Sequence, residues 1–295
     1  MSALAEYKKS LKRLEVEEPA DVFIFRPLAF LLVKGIYRTN ITPNQITMAS
    51  LLVGLLAGVS FGLGYRPAVI LGGMIYGLSI VLDCADGQLA RLKKNGTRLG
   101  RILDGLVDYI VTLAVYIGIG IGLAPASGHP LLWWVILAAT GASRVFHSLS
   151  VDYYRSRFLE PVEVSSTSVE EDDYQGFKAE LDSLNASHKR VLRKTVISLY
   201  LRYLNLQKRM TSREAGADRG RRVSADAFYA RNKAAMRGWT FLGPSMGGLL
   251  LIISAFLGRF DLYIWGNIVV MNLWAMVMYF VQSRIDLSLD EETAP

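Results

Sequence analysis

Four aspartates lie at the edges of two apolar stretches of this sequence, where ionised side chains are costly. Asp83 and Asp86 follow the run "GGMIYGLSIVL", whereas Asp104 and Asp108 lead into "YIVTLAVYIGIGIGLA". Spacings of three and four residues place each pair on one face of a helix, so two neighbouring helices can direct all four carboxylates to one point. Within a membrane each such charge costs up to about 2.5–3.5 kcal/mol, and mutual repulsion adds to that cost. We therefore predict that the aspartates bind a divalent cation, rather than serving as isolated, solvated helix caps.

The chemistry expected at this cluster follows from its oxygen-only ligands and from the residues around it. Carboxylates favour Mg²⁺ or Mn²⁺ over zinc, and Mg²⁺ commonly completes its coordination with substrate phosphates. Gly87, Ala90 and Gly100 remove side-chain bulk beside the carboxylates, and Arg91 offers a fork for phosphate oxygens. If one aspartate is not consumed by metal, it can take a proton from an attacking hydroxyl, and Asp108 is the natural candidate. The sequence thus predicts metal-assisted chemistry on a phosphate compound.

Long apolar segments carry these residues. Of the 295 residues, 52% are hydrophobic and 20% charged, and the mean hydropathy is +0.28. A membrane-spanning helix needs about 20 predominantly apolar residues. We predict an all-α, polytopic membrane protein with six transmembrane helices, near residues 43–63, 67–90, 102–123, 131–151, 239–257 and 261–283. No nucleic-acid partner is expected, because the net charge of +7 is not accompanied by a basic motif interleaved with aromatic residues.

The distribution of lysine and arginine predicts the orientation of the chain. The connection between the second and third segments is rich in basic residues, whereas the opposite connections offer only Arg66 and Arg259. By the positive-inside rule, the aspartates and both termini face the cytoplasm. The predicted divisions are a cytoplasmic N-terminal segment with an amphipathic interfacial helix, helices one to four with the aspartates, a cytoplasmic insertion, helices five and six, and a cytoplasmic tail, at residues 1–40, 41–155, 156–237, 238–285 and 286–295.

Two further segments carry local signals. The interfacial helix is expected in "DVFIFRPLAFLLVKGIYRTN" because its charged residues do not suit a membrane span. Thr42 and Pro43 are expected to begin the first membrane helix as its N-cap and first residue. The insertion begins with an acidic stretch, 160–182, followed by a basic stretch of helical periodicity, 188–210. The basic stretch could lie on the anionic leaflet, cover the aspartates, or form a solvated helical hairpin.

The spacing of the aspartate region resembles a known family signature. The pattern is Asp83-x2-Asp86-Gly87-x2-Ala90-Arg91-x8-Gly100-x3-Asp104-x3-Asp108. It resembles the signature of the CDP-alcohol phosphotransferase (CDP-alcohol phosphatidyltransferase) family, and all eight signature positions match. The stretch "TPNQIT" at 42–47 also resembles the start of the family's first membrane helix. The resemblance extends over about residues 20–155, whereas the last two helices agree only in number.

This resemblance implies an enzyme with six transmembrane helices, usually a homodimer, that binds two divalent metal ions, Mg²⁺ or Mn²⁺. It implies transfer of a phosphoalcohol group from a CDP-alcohol to a second alcohol, with release of CMP, in phospholipid biosynthesis. Asp83, Asp86 and Asp104 would bind metal. Asp108 would act as the base and could also bind the second ion. Contacts with the CDP moiety would fall on the remaining signature positions, Gly87, Ala90, Arg91 and Gly100.

The two alcohols are less well determined by the sequence. CDP-diacylglycerol is the favoured donor, with glycerol 3-phosphate, inositol phosphate, inositol or serine as acceptor; the alternative is transfer from CDP-choline or CDP-ethanolamine to diacylglycerol. Candidate acceptor-binding residues at the cytoplasmic end of the fourth helix are Arg144, His147, Arg155 and Arg157. Arg144 and His147, three residues apart, should face the bundle interior. In the alternative interpretation, Arg144 makes an interhelical hydrogen bond, while Arg155 and Arg157 snorkel to the interface.

A different class of function, a cation transporter or channel, would also place carboxylates in membrane helices. It predicts acidic groups near mid-membrane on several helices. The first, fifth and sixth apolar segments lack acidic residues between their ends, which disfavours a transporter.

Overall fold

The computed structural model describes residues 13–159 and 225–293, together with residues 6, 7, 10, 11, 176, 178, 181–183, 198 and 201. The predicted acidic and basic stretches of the insertion lie almost wholly outside the described residues. Within the described part of the chain all regular structure is helical and no strand is present, which confirms the all-α prediction.

The α-helices of the described residues are numbered here in chain order: α1 Arg26–Ile36, α2 Pro43–Gly62, α3 Arg66–Lys93, α4 Arg98–Leu123, α5 Pro130–Leu159, α6 Ala225–Trp239, α7 Pro244–Leu257, α8 Phe260–Trp265 and α9 Asn272–Thr293. A π-helical turn, Asp21–Phe25, precedes α1, and another, Gly266–Met271, connects α8 to α9. These helices include all six predicted segments, although their bounds differ at several ends.

Local sequence explains where the helices near the aspartates begin and end. Thr42 caps α2 through a capping box with Gln45, and a proline occupies the first helical position, as predicted. α3 ends where Lys94 adopts a left-handed conformation with φ 52° and its N–H bonds back to the carbonyl of Ala90. The side chain of Thr97 then caps α4. Residues 94–97 therefore form the short connection between α3 and α4, and both of these helices pack against α2.

Five helical stretches of the described residues are long and apolar enough to cross a membrane: Pro43–Gly62, Arg66–Lys93, Ile102–Leu123, Asp226–Leu257 and Phe260–Leu289. They correspond to five of the six predicted spans and support a polytopic membrane protein. The predicted span 131–151 is helical within α5, but it is not among the five because polar residues such as Arg144 and His147 lower its hydropathy. The predicted number of six is therefore not confirmed.

The fifth stretch begins earlier than predicted. Its helix starts near residue 226 rather than 239, and it is interrupted by a 3-10 turn, Thr240–Leu242, before α7. Pro244, which lacks a backbone N–H, suits the start of a helix but not its interior, which explains the break at this point.

Small residues let α2 and α4 pack against each other at backbone distance. A Cβ added to Gly58 would lie 2.7 Å from the carbonyl oxygen of Ala114. Gly118, one turn after Ala114 on α4, is equally close to α2, because an added Cβ there would collide with the carbonyl group of Gly58. Close packing of this kind is typical of membrane helices, which gain little from hydrophobic burial against one another. It fixes α2 beside the helix that carries Asp104.

The N-terminal helix differs from a simple amphipathic element. Phe23, Leu28 and Leu31 are exposed, whereas Arg26 is buried and forms an ion pair of 2.8 Å with Glu17. The charged residues of this segment predict an amphipathic interfacial helix, and the structure buries one of them, Arg26, beside Glu17. The position of α1 at a membrane interface stays a prediction.

The chain divides into two compact units, and the predicted five-part division along the sequence stays a prediction. The first unit comprises Met1–Tyr154 and Ala234–Phe280 and contains the aspartates. The second comprises Arg155–Lys233 and Val281–Pro295.

Candidate active site

Three of the predicted metal-binding aspartates converge. Asp83 and Asp86 lie in the C-terminal half of α3, and Asp104 lies in the second turn of α4. One carboxylate oxygen from each of the three lies within 4.8 Å of the others. Asp86 is buried, whereas Asp83 and Asp104 are partly buried. The short connection between α3 and α4 and the packing of both helices against α2 bring the three residues together. Their convergence agrees with the prediction from their spacing.

Asp108, the predicted base, lies beside this group rather than within it. One turn beyond Asp104 on α4, it is exposed, and its carboxylate is within hydrogen-bonding reach of Asp83. The fourth carboxylate therefore lies next to the three converging oxygens without being one of them.

Thr47 of α2 contacts the cluster from a third helix. Its hydroxyl donates a hydrogen bond to Oδ2 of Asp86, and both side chains are buried. The same hydroxyl lies 3.2 Å from the carbonyl oxygen of Pro43, so it is held near the start of α2. Sequence reasoning used "TPNQIT" only as a helix start and missed this contact. The available signal was the position of Thr47 one turn after the N-terminal proline.

The donor atoms of the cluster fit a hard divalent cation. Oδ1 of Asp83 is buried and accepts no hydrogen bond from a described residue. Among the lysine and arginine side chains that the structure describes, which do not include Arg98 and Arg101, none forms an ion pair with Asp83 or Asp86. Buried carboxylates without a countercharge are strongly disfavoured, and ions such as Mg²⁺ and Mn²⁺ prefer oxygen ligands. The cluster could therefore hold a metal ion, as predicted.

The predicted CDP contacts lie around the aspartates in different environments. A Cβ on Gly87 would lie 3.4 Å and 3.6 Å from the two Nη atoms of Arg91, so the glycine and the guanidinium are adjacent on α3. Ala90 is partly buried one residue before Arg91. A Cβ on Gly100 would lie 2.7 Å from Oδ1 of Asn44, so the space that this glycine leaves is used by a side chain of α2. Their contacts with CDP stay predictions.

Two candidate acceptor residues make contacts inside the first unit. Arg144 donates hydrogen bonds to the carbonyl oxygens of Leu242 at 3.3 Å and Gly243 at 2.8 Å, before α7. This is the interhelical bonding of the alternative interpretation, and acceptor binding by Arg144 stays a prediction. His147 is fully buried, with Nε2 2.8 Å from Oδ1 of Asn272.

The other two candidates, Arg155 and Arg157, belong to the second unit. Arg157 donates two hydrogen bonds to Asp286, at 2.8 Å and 3.1 Å, in a bidentate ion pair. The Arg157 guanidinium therefore has a carboxylate partner within the protein, and both interpretations of this residue, acceptor binding and snorkelling, stay predictions.

Comparison with known proteins agrees with the geometry. Residues 40–165 match the family model described as CDP-alcohol phosphatidyltransferase. This part of the chain is similar to the CDP-alcohol phosphatidyltransferase family. The matched range contains the four aspartates and Thr47. Together with the five apolar helical stretches, it identifies an integral membrane protein.

Three relatives are similar to this part of the chain. An archaetidylinositol phosphate synthase of Pyrococcus horikoshii is 35% identical over 89 residues, 30% of this chain and 46% of the relative. A phosphatidylinositol phosphate synthase of Corynebacterium glutamicum is 31% identical over 123 residues, 42% of this chain and 48% of the relative. A bifunctional IPC transferase and DIPP synthase of Thermococcus kodakarensis is 27% identical over 154 residues, 51% and 34% of the two chains. The matches span about a third to a half of the length of these relatives.

Proposed function

We propose that this protein transfers a phosphoalcohol group from a CDP-alcohol to an alcohol acceptor, releasing CMP, as a membrane enzyme of phospholipid biosynthesis. The convergence of Asp83, Asp86 and Asp104, with Asp108 beside them, carries the proposal. It lies within the part of the chain that matches the phosphatidyltransferase family.

Each aspartate has a distinct part in this proposal. Asp83, Asp86 and Asp104 hold Mg²⁺ or Mn²⁺, in two ions as the family resemblance implies, with Thr47 orienting Asp86. The bound ions would supply positive charge to the diphosphate and to the departing CMP. Asp108, which is exposed, accepts the proton of the acceptor hydroxyl and could also contact the second ion.

The remaining signature residues contact the donor. Gly87 and Ala90 leave room for the CDP moiety along α3, and Arg91 binds diphosphate oxygens through its two Nη groups. Gly100 contacts the same moiety from the start of α4, where its backbone and Asn44 lie together.

For the two alcohols we propose a CDP-diacylglycerol-type donor and a phosphorylated polyol such as inositol phosphate as acceptor. The named products of two relatives, phosphatidylinositol phosphate and archaetidylinositol phosphate, support this choice. Arg144 has a guanidinium with five N–H groups, so bonds to two carbonyl oxygens leave donors that an acceptor phosphate could use. His147 and Arg155 are the further candidates for acceptor contacts. The active site and both termini face the cytoplasm, and the enzyme is a homodimer, in keeping with the basic connections and the family resemblance.

A substrate panel tests the proposal. Purified protein in nanodiscs is given Mg²⁺ or Mn²⁺, either CDP-diacylglycerol or CDP-choline, and one acceptor at a time, and CMP and lipid product are measured. CMP release is expected with CDP-diacylglycerol and inositol phosphate. Transfer from CDP-choline to diacylglycerol would instead assign the other substrate pair, and no CMP from any CDP-alcohol would exclude the enzyme. Asp108→Asn should abolish CMP release without lowering the Tm, and normal release would show that Asp108 is not the base.

A further inference from the structure

The residues before α1 pack against α3 close to the proposed donor site. We give the name N-terminal strap to the described residues 7, 10, 11 and 13–26, the last of which is the first residue of α1. The carbonyl oxygen of Ser10 accepts a hydrogen bond of 2.6 Å from Nε of Arg91. Farther along the strap, the carbonyl oxygen of Arg26 accepts one of 3.0 Å from Nε2 of Gln88. The strap therefore contacts α3 on a face adjacent to the aspartates.

Buried polar contacts hold the strap in place. Glu17 and Arg26 form an ion pair of 2.8 Å, with side chains only 2% and 8% exposed. Glu18, which is also buried, accepts a hydrogen bond of 3.1 Å from the backbone N–H of Met246 in the first turn of α7. An acceptor at a helix N-terminus satisfies an N–H that has no partner within the helix. These contacts indicate a fixed structural element rather than a loose terminal tail.

The bond to Ser10 also determines which edge of the Arg91 guanidinium is available. Nε is occupied by the strap, whereas the two Nη atoms lie 3.4 Å and 3.6 Å from the place of an added Gly87 Cβ. Side chains of a helix lean toward its N-terminus, which for Arg91 is the direction of the aspartates. The two Nη groups thus point along the small-residue side of α3, where a phosphate can receive paired hydrogen bonds.

We infer that the N-terminal strap is a positioning element for the donor site, and that the Ser10 carbonyl orients Arg91 for the donor diphosphate. The inference rests on the proposed function, in which Arg91 contacts the CDP moiety. An unrestrained arginine must lose its rotamer freedom when the substrate binds, whereas a side chain that is already ordered does not. The strap should therefore lower the KM for the CDP-alcohol and leave the KM for the acceptor unchanged.

Full-length variants of the strap test this inference without touching the proposed catalytic groups. Tyr7 packs edge-on against Phe30 with ring centroids 5.2 Å apart, and the Ser10 hydroxyl bonds to the Tyr7 carbonyl at 2.7 Å. Combining Tyr7→Ala with Ser10→Ala should free the Ser10 backbone and raise the donor KM about two- to tenfold. The single variant Tyr7→Phe keeps the aromatic ring, so its donor KM should equal that of the unmodified protein. Glu6→Ala removes only the exposed contact with Lys34 and is the matched control.

A double-mutant cycle separates positioning of Arg91 from a general effect on structure. In an Arg91→Ala background, the strap variants should cause no further rise in donor KM. The inference would be overturned if the strap variants raised the donor KM equally with and without Arg91→Ala, if they raised the acceptor KM instead, or if they left the donor KM unchanged when Arg91 is present. Measurements of Tm identify a general loss of structure. If Arg91→Ala by itself leaves the donor KM unchanged, the proposed donor role of Arg91 is also wrong. If Arg91→Ala raises the donor KM strongly but the strap variants do not, only the proposed role of the N-terminal strap is wrong.

Discussion

Two sites with buried acidic residues in the first unit differ in whether a basic side chain pairs with the carboxylate. In the N-terminal strap, Glu17 is buried beside Arg26, so the chain supplies its own countercharge. In the aspartate cluster, Asp86 meets a neutral threonine hydroxyl and other carboxylates, and the described residues form no ion pair with it. A buried carboxylate without a cation is destabilising unless a ligand compensates it. The difference distinguishes an acidic group that stabilises the fold from a cluster that the fold leaves ready for a cation.

Among Asp86→Asn, Glu17→Gln and Thr47→Val, the first should have the largest effect, a loss of CMP release. Loss of one metal-binding carboxylate should reduce CMP release by at least about a thousandfold, equivalent to about 4 kcal/mol of transition-state stabilisation. With metal chelated, the Tm should stay the same or rise, because repulsion among the carboxylates decreases. Adding Mn²⁺ should raise the Tm of the unmodified protein more than that of the variant.

A matched control for that experiment is Asp261→Asn, which makes the same chemical change at an exposed aspartate paired with Arg259. It should retain CMP release and the Mn²⁺-dependent rise in Tm. Normal CMP release by Asp86→Asn would contradict the assignment of the cluster as the metal site.

In contrast to Asp86→Asn, Glu17→Gln should lower the stability of the protein and have little effect on kcat. Breaking a buried ion pair leaves Arg26 without its closest carboxylate and should lower the free energy of unfolding by about 3 kcal/mol. The kcat at saturating CDP-alcohol should change less than tenfold, since neither residue belongs to the aspartate cluster, whereas the donor KM should rise because this ion pair holds the N-terminal strap. Thermal unfolding in detergent and CMP release per folded molecule would measure the two effects separately. A stable Glu17→Gln protein with little activity would show that the two acidic groups do not differ in the way described.

Sequence reasoning succeeded where the information is local. The face shared by Asp83 and Asp86 follows from helical spacing, and the cap at Thr42 follows from a few adjacent residues. Contacts between distant parts of the chain could not be derived in this way. Arg91 and Ser10 are 81 residues apart, and nothing in the local pattern of either residue identifies the other.

The hydropathy of α5 likewise did not indicate what surrounds Arg144. Arg144 looked exceptional in an apolar segment, but the carbonyl oxygens that accept its hydrogen bonds are 98 and 99 residues away. A long-range partner can make a charged residue acceptable inside a helical bundle, so the average polarity of a segment does not establish its surroundings. For that reason only five of the six predicted spans are apolar enough to be identified among the described residues, although all six predicted segments are helical.

Thr47→Val gives the smallest of the three effects and tests a contact that sequence reasoning missed. Valine has nearly the same shape but cannot donate a hydrogen bond, so Asp86 loses the group that orients it. Outer contacts of metal ligands typically contribute 10- to 100-fold in metal affinity or activity, and we expect about a tenfold rise in the Mn²⁺ concentration needed for half-maximal CMP release. Thr47→Ser keeps the hydroxyl and should stay within about threefold of the unmodified protein. If serine and valine variants behave alike, Thr47 acts through packing of α2 against α3, and Asp86 is oriented by the carboxylates around it.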